Sequence, residues 1–147
     1  MQVTIYTTAE AAEAAFYKAL ETADFTTMMS VWEHSPTVLC IHPLGTSLQG
    51  IEQIRSSWQN ILRNNPALRV VYEPIQQRPE QALAIHSVRE HITVFGSNPP
   101  LQQTMLATNI YRFDGQGWRM ILHHSSPQPA TPTDVPAATA SRPTRLH

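Results

Sequence analysis

Along this chain the spacing of apolar residues shifts from helical to alternating, and the shifts mark the elements. From Ala9 to Ala23 the chain is alanine-rich without Gly or Pro, which favours helix. Ala12, Phe16, Ala19, Leu20 and Ala23 fall on one stripe there, with Glu10, Glu13, Lys18 and Glu21 off it. Asp24 is placed to cap a second helix, in which Phe25, Met28, Met29 and Trp32 recur at i, i+3, i+4, i+7. That helix has to stop before Pro36, because a residue preceding proline avoids the helical region. Thr37 to His42 is a short apolar strand, followed by the turn residues Pro43, Gly45 and Gly50. Ile51 to Asn64 is a third helix, with Ile51, Ile54, Trp58, Ile61 and Leu62 as its stripe and Pro66 as its stop. Beyond it the pattern alternates. Leu68–Gln77 and Gln81–Phe95 read as strands, and Thr104–Pro127 as two long strands joined at Asp114-Gly115-Gln116-Gly117, whose glycines supply the positive φ of a tight hairpin. Helices segregated from a run of strands predict an α+β fold.

Parity on the last two strands brings in chemistry. Asn109 shares a face with Met105, Ala107, Tyr111 and Phe113; His124 continues a face begun by Trp118, Met120 and Leu122. An amide and an imidazole on apolar faces point to a cavity rather than a sealed core. The opposite faces also carry apolar residues, Leu106, Ile110 and Ile121, and helices can cover only one side of a sheet, which predicts a homodimer through the other. By the same parity His123 points outward, to the surface or a dimer interface.

Composition narrows the classes. The chain has 147 residues, 41% hydrophobic and 14% charged, with a formal net charge of -1. That suits one domain with a real core and no basic stripe for nucleic acid. Residues 128–147 are Pro, Ala, Thr and Ser with almost no large apolar side chain, so a domain over 1–127 with a flexible tail is expected. No apolar run approaches the ~18 residues of a membrane span. No signal peptide is read at the start, and a cytoplasmic protein without a membrane partner is the expectation. The one cysteine, Cys40, has no partner for a disulfide or a zinc pair and reads as a small buried residue. Seven histidines invite a metal reading, but His123 and His124 point to opposite faces and no H-x-x-x-H pair exists, so neither a metal nor a cofactor is expected.

The order of elements and several stretches resemble the SnoaL-like branch of the nuclear transport factor 2-like superfamily. The stretches are the alanine-rich helix running into A-D-F, Trp32, I-H-P-L-G-T-S-L-Q-G before the helix with Trp58, A-T-N-I-Y-R-F-D-G-Q-G-W, and the ending H-H-S-S-P. The last two are also similar to the association domain of calmodulin-dependent kinase II. The resemblance covers roughly residues 9–127. It implies a cone-shaped, curved antiparallel sheet packed on three N-terminal helices, with a pocket between them and dimerisation through the sheet. It leaves activity open, because the superfamily includes isomerases, cyclases, epoxide hydrolases, dehydratases and plain binding modules. The isomerases and cyclases rely on an acidic pocket residue. The terminal strands have no aspartate before Asp114, and Glu90 is the only carboxylate within Gln81–Phe95.

The candidates follow. Tyr17, Trp32, His42, Trp58, Asn109 and His124 are expected to line a cavity for a small, mostly apolar organic ligand, with Tyr17 or Phe16 closing it from the first helix. His42, at the end of its strand, and Glu90 are the candidate acid/base groups, because an imidazole or a buried carboxyl titrates near neutrality. Each has a plainer alternative: a turn-bonded His42, a salt-bridged Glu90, core tryptophans and a backbone-bonded Asn109. Glu90 shares its face with His86 and Val88, while Arg89 and His91 point the other way; a bulge in Gln81–Phe95 would swap faces beyond it. Catalysis and non-catalytic association both remain open at this point.

Overall fold

Helix α1 (Ala9–Thr22) begins at Thr8, whose side chain accepts the Ala11 N–H, and ends where Ala23 turns left-handed at φ 56. A computed structural model describes residues 3–64 and 67–129. As expected, Asp24 caps α2 (Phe25–Val31), its carboxylate accepting the Thr27 N–H at 3.1 Å and the Thr27 hydroxyl at 2.7 Å. β1 (Leu39–Ile41), β2 (Ser47–Gln49) and α3 (Ile51–Arg63) follow, and then four long strands: β3 (Leu68–Pro79), β4 (Leu83–Val94), β5 (Leu101–Phe113) and β6 (Trp118–Pro127).

The six strands form one sheet in the order β2-β1-β6-β5-β4-β3. The fold is α+β, as the sequence predicts, but the sheet is mixed. β1 lies parallel to β6 and carries β2 as an antiparallel edge. β2 escaped the sequence reading because it lies among turn residues. Gly45 N–H closes onto the His42 carbonyl at 2.8 Å, and that reversal folds Ser47–Gln49 back onto β1. The β5–β6 hairpin turns where expected, but of its two glycines Gly115 alone has a positive φ, 95, and the Asp114 carboxylate accepts the N–H groups of Gln116 and Gly117 at 2.9 Å.

Two irregularities set which side chains face the helices. β4 pairs with β5 in unbroken register, so the feared slip within β4 does not occur. One bulge lies in β3, between Pro74 and Gln76. The other lies in the β5–β6 ladder, where Ile110 pairs with Leu122 and Tyr111 with Met120, leaving Ile121 without a partner. An extra residue inverts the alternation beyond it. Met120 and His123 therefore share the helix-facing side, and His124 turns outward.

The core lies between that face and the helices. Phe16, Met28, Trp32, Ile54, Trp58, Val88, Tyr111 and Met120 are all buried in it, and burying each large apolar side chain contributes roughly 1.5–3 kcal/mol. Gln128 still belongs to the sheet, at the end of the β5–β6 ladder: its N–H bonds the Thr104 carbonyl and its side-chain oxygen accepts from Arg89 Nε at 2.9 Å. The remainder of the expected tail, from residue 130, lies outside the described residues.

Candidate functional site

The helix-facing side of β4, β5 and β6 carries a set of polar side chains that, among the described residues, has no counterpart elsewhere in the core. Ala84, His86, Val88 and Glu90 alternate inward on β4; Ala107, Asn109 and Tyr111 do so on β5; His123 and Ser125 do so on β6. The register sets His86 beside Asn109 and Asn109 beside His123. α1 lies over them and contributes Glu13 and Tyr17, four residues apart and hence on one face.

These groups form a continuous hydrogen-bond network. Glu13 accepts from His86 Nδ1 at 2.9 Å on one oxygen, and from Asn109 Nδ2 at 3.0 Å and the Tyr111 hydroxyl at 3.1 Å on the other. Asn109 also donates to the Tyr17 hydroxyl at 3.0 Å, and its carbonyl accepts from His123 Nδ1 at 2.6 Å. Tyr17 donates onward to Glu90 Oε2 at 2.6 Å, and Ser125 donates to Glu90 Oε1 at 2.8 Å. Glu13 and Glu90 are 1% and 3% exposed, so neither is the surface group that acidic residues usually are, and Glu13 is paired with the buried His86 at 2.9 Å.

Burial sets the protonation of this cluster. Desolvation raises the Glu90 carboxyl above its ordinary range. The Tyr17 and Ser125 hydrogen bonds pull it down without cancelling that, and the Glu13 charge adds to the rise. Desolvation and then the Glu90 charge push Tyr17 well above an ordinary phenol. At His86 burial acts downward, but the hydrogen bond and charge of Glu13, with Glu10 at 3.7 Å from Nε2, carry the net shift upward. His123 goes the other way, lowered to about 3 by burial first and by the charges of His42 and His124 after that.

A second polar group sits beside α3. His42, just past β1, is half-buried, and its Nε2 lies 2.9 Å from Ser57 Oγ and 3.8 Å from Cys40 Sγ. Its ring meets Trp58 edge-on, with centroids 4.9 Å apart. Burial lowers the imidazole, which keeps it neutral, and raises the Cys40 thiol to about 12, so the thiol stays protonated. Trp58 packs edge-on against Phe16, which in turn lies 4.8 Å from the His123 ring.

The structure thus brings Tyr17, Glu90 and Asn109 together, and places Trp58 and His42 one layer away, behind Phe16. Trp32, at the end of α2, is core and bridges to Met120. Among the described residues neither Trp32 Nε1 nor Trp58 Nε1 has a hydrogen-bond partner, although both are buried. His124 does not join the site: it is exposed on the outer face, opposite Thr108, because the Ile121 bulge reverses the parity from which it was read. By the same bulge His123, expected at the surface or in an interface, is buried against Asn109. Glu13 was read as lying off the apolar stripe. Its clue was its spacing: it stands three and four residues from the buried Phe16 and Tyr17. Among the described residues, no group of three or more His, Cys, Asp or Glu gathers as a metal site. No described helix is long and apolar enough to cross a membrane.

Comparison with known proteins agrees with this architecture. A family model described as a SnoaL-like domain matches residues 9–131. A candidate calcium/calmodulin-dependent protein kinase type II association domain from Thiobacillus denitrificans superposes with a TM-score of 0.80 at 35% identity, over 86% of this chain and 99% of that one. A candidate dehydratase of the nuclear transport factor 2-like family from Streptomyces avermitilis superposes at 0.75 with 27% identity, over 82% and 94%. F-box protein SKIP8 of Arabidopsis thaliana is 24% identical over 111 residues, which make up 76% of this chain but only 46% of that protein.

Proposed function

The chain belongs to the SnoaL-like domain family, and on that premise we propose that it binds a small, mostly apolar organic molecule between the helices and the sheet and moves a proton on it. Glu90 carries this reading. Its carboxyl is buried, held on both oxygens by hydroxyls, and raised toward neutrality, which is what a general base for a proton next to a carbonyl requires. Tyr17, donating to Glu90 and receiving from Asn109, is the hydroxyl nearest to hand for a developing enolate. Tyr72, half-buried and stacked on Tyr17 at 4.4 Å, is the side chain whose displacement would admit the ligand. Likeness to the candidate dehydratase supports the same class of chemistry.

The test uses a β,γ-unsaturated cyclic ketone, whose conversion to the conjugated enone is read by its absorption, and 2-naphthol, whose binding is read by tryptophan fluorescence. Glu90→Gln should lower turnover about 100-fold or more while 2-naphthol still binds. Binding without turnover in the unaltered protein would sink the catalytic half of the reading. No binding would sink both halves.

A second reading, an association module that assembles as a homodimer, rests on the outer face of the sheet. Ile85, Leu106, Ile110 and Leu122 are only half-buried there, and Val71 is exposed. Likeness to a candidate association domain supports it. Light scattering at micromolar concentration should return a dimer that Leu106→Arg with Ile110→Arg dissociates. A monomer in the unaltered protein contradicts it.

A further inference from the structure

We propose that Ser57 is a nucleophile, with His42 as its general base, in a shallow groove on α3 that accepts small uncharged carboxylic esters. Trp58 and Phe16 separate this groove from the Glu90 cluster, so the proposal is independent of the reading above.

The groove has a volume of about 520 Å³ and is lined by Leu48, Glu52, Gln53, Ser56, Ser57 and Asn60. The base is in place: His42 Nε2 lies 2.9 Å from Ser57 Oγ, within reach for direct proton transfer. The ring is held from its far side by Trp58 and is kept neutral by its burial, so one nitrogen is free to accept. Ser57 is itself half-buried, which leaves its oxygen reachable from the groove.

Donors for a developing oxyanion flank the serine. Gln53 and Asn60 stand four residues before and three after Ser57, on the same helix face. Gln53 Oε1 is occupied by the Gln49 N–H at 2.9 Å, and Asn60 Oδ1 by Asn64 Nδ2 at 3.1 Å. Those bonds orient both amides, and among the described residues neither NH2 group has a partner of its own. Amide donors of this kind stabilise tetrahedral intermediates. Leu48 offers an apolar wall to an acyl chain, and the Glu52 carboxylate at the rim disfavours an anionic substrate.

The step is acyl transfer. The Ser57 hydroxyl proton passes to His42 Nε2 as Oγ bonds the ester carbonyl carbon. The C–O bond to the alcohol then breaks, and the alcohol leaves with the proton from His42. Water repeats the sequence on the acyl-serine, with His42 again as base, releasing the carboxylic acid and restoring Ser57.

The full chain is treated with a fluorophosphonate, whose P–F bond breaks and releases fluoride as the serine oxygen bonds phosphorus, and separately with p-nitrophenyl acetate. Peptide mass mapping should place the phosphonyl group on Ser57. Ser57→Ala should abolish both labelling and nitrophenol release, and His42→Gln, with an unchanged circular dichroism spectrum, should slow both about 100-fold. If His42→Gln fails to fold, Gln53→Leu with Asn60→Leu, both exposed positions, decides instead, with an expected loss of about 10-fold or more. No labelling, labelling on another hydroxyl such as Ser56, or an undiminished rate in the deciding variant would overturn the proposal.

Discussion

The two clusters of titratable side chains differ in how far their hydrogen bonding is satisfied. Under α1, both oxygens of Glu13 and both of Glu90 are occupied, and Asn109 uses its amide in both directions. Beside α3, His42 and Ser57 have each other and a groove. The inner cluster lies in the core, where each lost partner leaves a buried polar atom stranded. The outer pair lies within reach of water, which can replace a lost partner. Removing a member of the saturated interior network therefore costs stability whatever else that member does, whereas the half-buried, unsaturated pair can be altered at little cost in stability.

The largest effect that sharpens this contrast is expected at Glu13. Glu13→Ala strands three buried donors, on His86, Asn109 and Tyr111, and should cost about 3–5 kcal/mol in urea unfolding, the scale for breaking a buried charged group's set of partners. Asn109→Leu follows. A cavity-lining amide, the role read for Asn109 in the sequence, would be replaced by leucine at little cost in stability. In the fold its loss strands the His123 Nδ1–H, at about 1–3 kcal/mol, and takes one of several partners from Glu13 and from Tyr17, at about 0.5 kcal/mol each, a total of roughly 2–4 kcal/mol. A loss under 1 kcal/mol for either variant would break the distinction between the clusters.

Acid separates the clusters next. The folded-state His123 imidazole, at about 3, lies below its unfolded value of about 6.5, so between those values the unfolded chain binds a proton that the native chain refuses. Its contribution is complete above about pH 6.5 and drains away as pH falls toward 3, at up to about 1.4 kcal/mol per pH unit. Glu90 opposes it: with its folded value raised, its contribution grows as pH falls back toward the ordinary carboxyl range. His86, also raised, contributes below about pH 6.5 and loses that contribution only at higher pH. Urea unfolding at pH 7, 5.5 and 4 should therefore show an acid limb that His123→Gln flattens. An unchanged limb would mean that His123 takes up a proton inside the folded protein.

Much of this was legible in the residues. The helical stripes located α1 to α3, and alternation located β3 to β6, because a half-buried element must repeat with its own period. Asn109 stood out as a polar residue on an apolar strand face and Glu90 as the one carboxylate within Gln81–Phe95, and they do meet, through Tyr17. What was lost was lost for identifiable reasons. A single unpaired residue, Ile121, exchanged His123 for His124 at the site, and no local composition announces a bulge. Glu13 was hidden because a carboxylate at the margin of an apolar stripe reads as solvated unless its partners, ninety and more residues away, are already known. The His42–Ser57 pair depends on β1 ending against the middle of α3, a tertiary fact that neither segment contains alone.

The smallest expected effect on stability is at Ser57, and it tests the contrast from the other side. Ser57→Ala removes one hydrogen bond, worth about 0.5–1.5 kcal/mol. The site lies in the interior of α3, where alanine is the better helix former by up to about 0.7 kcal/mol. His42 is only half-buried, so water can take the place of the lost hydroxyl and recover part of the bond. The three effects nearly cancel, and thermal unfolding should shift by no more than a degree or two, the change expected for a few tenths of a kcal/mol. The same variant is expected to lose the fluorophosphonate label entirely. A shift of many degrees would place Ser57 with Glu13 and Asn109 among the side chains that hold the fold, and the two clusters would then no longer be distinguished by satisfaction and exposure.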